Sequence, residues 1–147
     1  MLEKGDLVSV VIPAYNTERY IESMIKSLKA QTYQNLQIIF VDDGSCDSTA
    51  EIIKTYQRED HRVEYYYQRN RGVSIARNNG LEKVKGKKVF FFDSDDTFEN
   101  DLIESCVNFA ISQSVDAVLY GYADKVYGKM ENEHVFELHG NFRGDQI

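Results

Sequence analysis

The sequence predicts an α/β protein, a three-layer α/β/α sandwich around a mostly parallel sheet. Two observations carry this. Short apolar runs alternate with segments whose apolar residues recur at helical spacing, from Leu7 to Tyr120. Such strand–helix alternation makes parallel sheets with helices on both faces.

The elements follow in order. Leu7 to Ile12, with Val8, Val10 and Val11, reads as a buried strand that Pro13 stops. Ile21, Met24, Ile25 and Leu28 fall at i, i+3, i+4 and i+7, the apolar stripe of a helix. Leu36 to Val41 is the second strand, and Asp47 or Ser48 caps a helix carrying Ile52, Ile53 and Tyr56. Val63 to Tyr67 is the third strand. Val73, Ala76, Gly80 and Val84 mark a third helix that Gly86 ends. Lys88 to Phe92 is the fourth strand, Leu102 to Ala110 a fourth helix, and Val115 to Tyr120 a fifth strand. No repeat or linker interrupts this series, so residues 1–147 read as a single domain. Residues 121–147 are polar, contain Gly128, Gly140 and Gly144, and read as a loop or hairpin tail.

Composition bounds the function. Hydrophobic residues make up 42% and charged residues 28%, as in ordinary globular chains. A net charge of −7 argues against nucleic acid, whose phosphates need basic faces. No apolar run approaches the roughly 20 residues that span a bilayer. The polar start, Met1 to Asp6, does not read as a signal peptide. Cys46 and Cys106 have neither metal-ligand spacing nor the look of a disulfide framework, which fits packing roles and a reduced, cytoplasmic setting.

The chemistry gathers at the strand ends. In an open α/β sheet, ligands bind beyond the carboxyl ends of the strands. The first strand ends in Pro13-Ala14-Tyr15-Asn16, the second in Asp42-Asp43-Gly44-Ser45, the fourth in Asp93-Ser94-Asp95-Asp96. Two unit charges 4 Å apart interact by about 4 kcal/mol at an effective dielectric near 20. Five aspartates on one rim therefore repel a phosphate unless a cation bridges them. Hard ions such as Mg²⁺ or Mn²⁺ take oxygen ligands, so the rim suggests a metal–diphosphate ligand. Helix capping by Asp95, Asp96 or Thr97 would explain one aspartate but not three. Asp42-Asp43-Gly44 reads as a turn, or as a carboxylate placed to accept a base N–H. Tyr15 stacks on a flat base or packs in its loop. Gly72 precedes a helix whose amino end favours anions, and Arg77 is set to pair with Asp42-Asp43 or with a phosphate.

Four segments in this order resemble family 2 glycosyltransferases of the Rossmann-like GT-A fold. They are Val8-Ser9-Val10-Val11-Ile12-Pro13-Ala14-Tyr15-Asn16, Val41-Asp42-Asp43-Gly44-Ser45, Arg71 to Gly80, and Phe92-Asp93-Ser94-Asp95-Asp96. The resemblance implies a nucleotide-diphospho-sugar donor, often a UDP-sugar, and Mg²⁺ or Mn²⁺ as cofactor. It puts Pro13 and Tyr15 in the base pocket, Asp43 on the uracil and Arg77 beside the nucleotide. Asp93-Ser94-Asp95 matches the family's D-x-D element. Asp93 then faces the ribose, Asp95 holds the metal, and Asp96 is able to share it. The sugar passes, with inversion, to a hydroxyl of a saccharide, lipid-linked or other acceptor. Polysaccharide biosynthesis, in the cytoplasm or peripherally at the inner membrane face, is the implied setting.

One departure stands out. The family's carboxylate base, usually in a Glu-Asp pair, lies well beyond the D-x-D. The only such pair here is Glu59-Asp60, and Asp116, Asp124 and Asp145 do not match the pattern. The expectation is a donor-binding portion whose acceptor-binding, base-bearing part is absent. A nucleotide-sugar-binding module without transfer is the alternative. A nucleotidyltransferase would show a Gly-rich basic loop after the first strand, which Tyr15-Asn16-Thr17-Glu18-Arg19 is not. A phospho-acceptor receiver domain would carry its acidic pair after the first strand rather than the second.

Overall fold

Every residue of β1 (Val8–Ala14) and β2 (Leu36–Asp42) is buried, so both faces of the central sheet are covered. Two of the three polar residues in these runs serve each other. Ser9 and Gln37 sit in register, and the Ser9 hydroxyl donates to Gln37 Oε1 at 2.6 Å. The computed structural model describes residues 3–120, 122–126 and 129–134. It divides into two compact units, Gly5–Ile103 and Met1–Lys4 with Glu104–Ile147.

The first unit is a parallel sheet in the order β3-β2-β1-β4, completed by β3 (Val63–Tyr67) and β4 (Lys88–Phe91). Helix α1 (Ile21–Lys29) buries Ile21, Met24, Ile25 and Leu28, the stripe its spacing predicts. It packs on α2 (Thr49–Glu59), which packs on β2 and β3. Helix α3 (Val73–Leu81) packs on β1 and β2. Lys54 of α2 lies 4.6 Å from the Tyr65 ring centre, and Lys83, just past α3, lies 5.5 Å from that of Tyr66. Adjacent strand residues point to opposite faces, so α2 and α3 cover opposite sides of the sheet. That is the three-layer sandwich. Gly80 sets how close α3 comes, since a Cβ there would lie 2.4 Å from Val11 Cγ1.

Several boundaries differ from the sequence reading. Pro13 does not stop β1, which runs to Ala14 in register with Asp42. Ala14 faces β2, because its carbonyl accepts the Asp43 N–H at 2.8 Å, so the Pro13 nitrogen points toward β4. There the pairing has already ended at Val11–Phe91, and a missing N–H costs the sheet nothing. Strand β4 ends at Phe91 rather than Phe92, and α3 ends at Leu81 rather than before Gly86. Val84 reaches the core from a turn after the helix. Gly86 instead permits a close approach to β1, where a Cβ would meet the Leu7 carbonyl at 2.6 Å.

Helix α4 (Leu102–Gln113) begins at Leu102, as its apolar residues predict, and runs past Ala110. Residues 115–120, expected as a fifth strand, form none. In the second unit, β5 (Tyr122–Val126) and β6 (Lys129–His134) pair antiparallel. Gly121, Gly128, Gly140, Gly144 and Asp145 lie outside the described residues. Among the described residues, no helix is long and apolar enough to cross a membrane.

Candidate active site

The strand order reverses beside β1. The chain steps from β1 outward to β2 and β3, then returns to the other side of β1 as β4. Ligand crevices of doubly wound sheets open at the carboxyl ends of strands at such a point. A cleft of about 590 Å³ lies there, and Pro13, Tyr15, Asp43, Arg77, Asp93 and Asp95 all line it. Asp96 does not. Thr17, Asn70, Gly72, Val73 and Ser94 also line it, and Thr17 and Asn70 lie outside the four matched segments. A depression of similar size lies at the opposite, amino ends of the strands. Its charged groups are already paired, Arg62 with Asp60 and Lys85 with Glu64.

The loops after β1 and β2 are knitted together. The Asn16 N–H donates to Ser45 Oγ, and the Cys46 N–H returns a bond to Asn16 Oδ1 at 2.8 Å. The Thr17 N–H donates to Thr49 Oγ1 at 2.8 Å, and the Glu18 N–H to Asp47 Oδ2. Asp47 also accepts the Thr49 N–H, so it serves the start of α2, where Ser48 makes no side-chain cap. This knitting holds Tyr15 at the cleft with its ring half exposed.

The two carboxylates after β2 play different parts. Asp42 is buried. It accepts the Ser45 N–H at 2.8 Å and the Tyr65 hydroxyl at 2.7 Å. Burial first, then this bond to Asp42, pushes the Tyr65 phenol far above its ordinary value. Asp42 is thus a structural group. Asp43 is 4% exposed and lies at the cleft. Its Oδ1 accepts the Arg71 N–H at 2.8 Å and the Gln68 amide at 2.7 Å; its Oδ2 accepts the Gly72 N–H at 2.8 Å. The loop that starts α3 is folded onto this one side chain.

The acidic segment after β4 is a short turn clamped at both ends. Phe92 is buried and stacks on Phe98 with ring centres 3.8 Å apart, and the Asp96 N–H closes on the Asp93 carbonyl. Ser94 points inward, leaving Asp93 and Asp95 exposed. Helix capping does not account for these aspartates, since α4 begins well beyond Asp96. Arg77 pairs with neither Asp42 nor Asp43. Its guanidinium donates to Asp93 Oδ1 at 2.5 Å, joining α3 to the acidic turn. Arg77 Nε is buried with no partner among the described residues.

The donors present fit a hard cation completed by its ligand. Among the described residues, no three His, Cys, Asp or Glu side chains converge to hold a metal alone. Mg²⁺ sites commonly use one or two carboxylates and draw the remaining oxygens from phosphates and water. Loss of hydration, then the charges of Asp95 and Asp93, raises the Asp96 carboxyl above its ordinary value, although the residue is partly open to solvent. Repulsion of that kind is relieved when a cation binds.

Comparison with known proteins identifies the family. The model for glycosyl transferase family 2 matches residues 9–146. The chain is 38% identical over 91% of its length to glycosyltransferase GlyA of Streptococcus pneumoniae, and covers 19% of that protein. It is 35% identical over 92% of its length to glycosyltransferase GlyG of the same organism, covering 45% of it. Residues 1–349 of S. aureus TarS, in complex with UDP-GlcNAc, superpose with a TM-score of 0.71 at 27% identity. That match covers 83% of this chain and 36% of the TarS chain. The chain therefore spans less than half the length of these relatives. The sheet and its helices are the GT-A fold, and the chain belongs to glycosyl transferase family 2.

Proposed function

We propose that this chain binds the donor in a glycosyltransferase that moves a sugar from a nucleotide-diphospho-sugar, a UDP-sugar, to an acceptor hydroxyl with inversion. One observation carries the reading. A single cleft at the switch point gathers an aromatic ring, an acceptor carboxylate, an arginine and two further carboxylates.

In this reading Tyr15 stacks on the base against the Pro13 wall. Asp43 accepts a base N–H through the open side of Oδ2. Asp93, steadied by Arg77, faces the ribose. Asp95 and Asp96 would hold Mg²⁺ or Mn²⁺ on the diphosphate, and the bound ion would supply Lewis-acid stabilisation of the leaving nucleoside diphosphate. The acceptor oxygen forms the new bond at the anomeric carbon as the bond to the diphosphate breaks, and a base takes the acceptor proton. No described residue is assigned as that base. Asp60 is excluded because it is tied to Arg62, at the far end of the sheet. A second reading is a nucleotide-sugar-binding module without transfer. A saccharide or lipid-linked acceptor suits the first reading, with polysaccharide biosynthesis as its setting. The chain then works in the cytoplasm, peripheral to the inner membrane face where the acceptor is lipid-linked.

Calorimetric titration with UDP in the presence of Mn²⁺, with ADP as the comparison, tests the donor site. UDP binding with ADP at least tenfold weaker supports it. Equal affinity, or no UDP binding, overturns it.

A further inference from the structure

We infer that Gln68 determines base specificity, by occupying an acceptor position on Asp43 that guanine would otherwise use. The inference rests on the proposed role of Asp43 and goes beyond it. An ionised carboxylate offers about four acceptor positions. Among the described residues, three are filled: Arg71 N–H and the Gln68 amide on Oδ1, and Gly72 N–H on Oδ2. One remains, on Oδ2. Uracil presents one imide N–H between two carbonyls, which a single open acceptor satisfies. Guanine presents two adjacent donors, N1–H and the N2 amino group, and pairs best with two free carboxylate oxygens. Cytosine has no ring N–H on that edge. The filled Oδ1 therefore favours uracil over guanine, and the carboxylate itself excludes cytosine.

The polarity of Gln68 is fixed by its neighbours. The carboxylate only accepts, so the Gln68 amide presents its NH₂ to Asp43. Its carbonyl then faces away from Asp43 and accepts the Asn79 amide at 2.5 Å. Asn79 lies on α3, which packs against β1 and β2. The relay Asn79–Gln68–Asp43 thus anchors the acceptor to the rigid sandwich. The two backbone donors on Asp43 do not depend on side-chain identity, whereas the Gln68 donor does. Gln68 is a positioning residue that fills an oxygen of the base reader and leaves the other open.

The test is calorimetric titration of UDP and GDP, both with Mn²⁺, into the wild-type chain, Gln68→Leu and Asn79→Ala. Circular dichroism confirms the fold of each. The wild type should prefer UDP by about tenfold or more, the size of one well-made hydrogen bond. Gln68→Leu should narrow that preference to about threefold or less, mostly by improving GDP. Asn79→Ala should narrow it less, and it carries the comparison if Gln68→Leu does not fold. An unchanged UDP-to-GDP ratio in a folded variant overturns the role of Gln68 alone. A wild type that binds GDP as well as UDP overturns the acceptor count. A wild type that binds neither overturns the donor-site reading on which the inference stands.

Discussion

Asp43→Asn is the sharpest single perturbation, because the structure sets both its structural and its functional cost. Asparagine replaces one carboxylate oxygen with an NH₂ group. If that group takes the Oδ1 position, it confronts two donors, Arg71 N–H and the Gln68 amide. At the Oδ2 position it confronts only Gly72 N–H. The second orientation is cheaper. It leaves one amide unsatisfied, at about 1–3 kcal/mol, and weakens two charge-assisted bonds by about 0.5–1 kcal/mol each. The total is about 3 kcal/mol. For a chain of this size that lowers the melting temperature by roughly 6–12 °C. The same orientation places a donor where the proposed site meets the base N–H. UDP affinity should then fall at least tenfold, while CDP, whose N3 accepts, should gain. Urea denaturation and titration with both nucleotides read the two effects. The reasoning is refuted if Asp43→Asn binds UDP within threefold of wild type, or if its stability stays within about 0.5 kcal/mol.

Three further outcomes follow from the geometry. Gly80→Ala places a Cβ against Val11 Cγ1 at 2.4 Å, so overpacking of about 1–3 kcal/mol should outweigh the gain of about 1 kcal/mol in helix propensity; a double-mutant cycle with Val11→Ala should show strong non-additivity in urea unfolding. Arg77→Met breaks a pair whose side chains are 36% and 56% exposed, so stability should change by less than about 1 kcal/mol while UDP binding falls at least tenfold by calorimetry. Asp60→Asn removes a buried partner of Arg62, whose hydrogen bonds hold the Asp60 carboxyl below its ordinary range. A depressed carboxyl stabilises the fold above its unfolded value and loses that contribution as pH falls through its folded value. The wild-type advantage in urea should therefore be about 1–3 kcal/mol at neutral pH and should shrink below about pH 4.

The sandwich was legible where local pattern and burial agree. The stripe Ile21, Met24, Ile25, Leu28 and the unbroken runs of β1 and β2 name their own partners. The pattern misled where pairing decides. Val115 to Tyr120 has strand-like composition, yet Leu119 stands 66% exposed in an irregular segment, because an apolar run becomes a strand only beside a partner edge. Pro13 looked like a terminator because its tolerance depends on which neighbour its nitrogen faces. At the site, the strand-end motifs marked the cleft, since topology alone brings those ends together. Individual partners were not legible. Charge pattern suggested Arg77 for Asp42-Asp43, but backbone amides from the loop at α3 take Asp43 and leave Arg77 to Asp93. Such donors carry no mark in the sequence, and neither do the roles of Gln68 and Asn79.

The central claim is a metal-assisted nucleoside-diphosphate site built from Tyr15, Asp43, Arg77 and the Asp93–Asp96 turn. Calorimetric titration of UDP with Mn²⁺ and with EDTA, in the wild type and in Asp95→Asn, tests it most directly. The account predicts UDP binding in Mn²⁺ that weakens at least tenfold on chelation, and a much smaller metal effect in Asp95→Asn. UDP binding that is absent, or equal with and without metal, would contradict it.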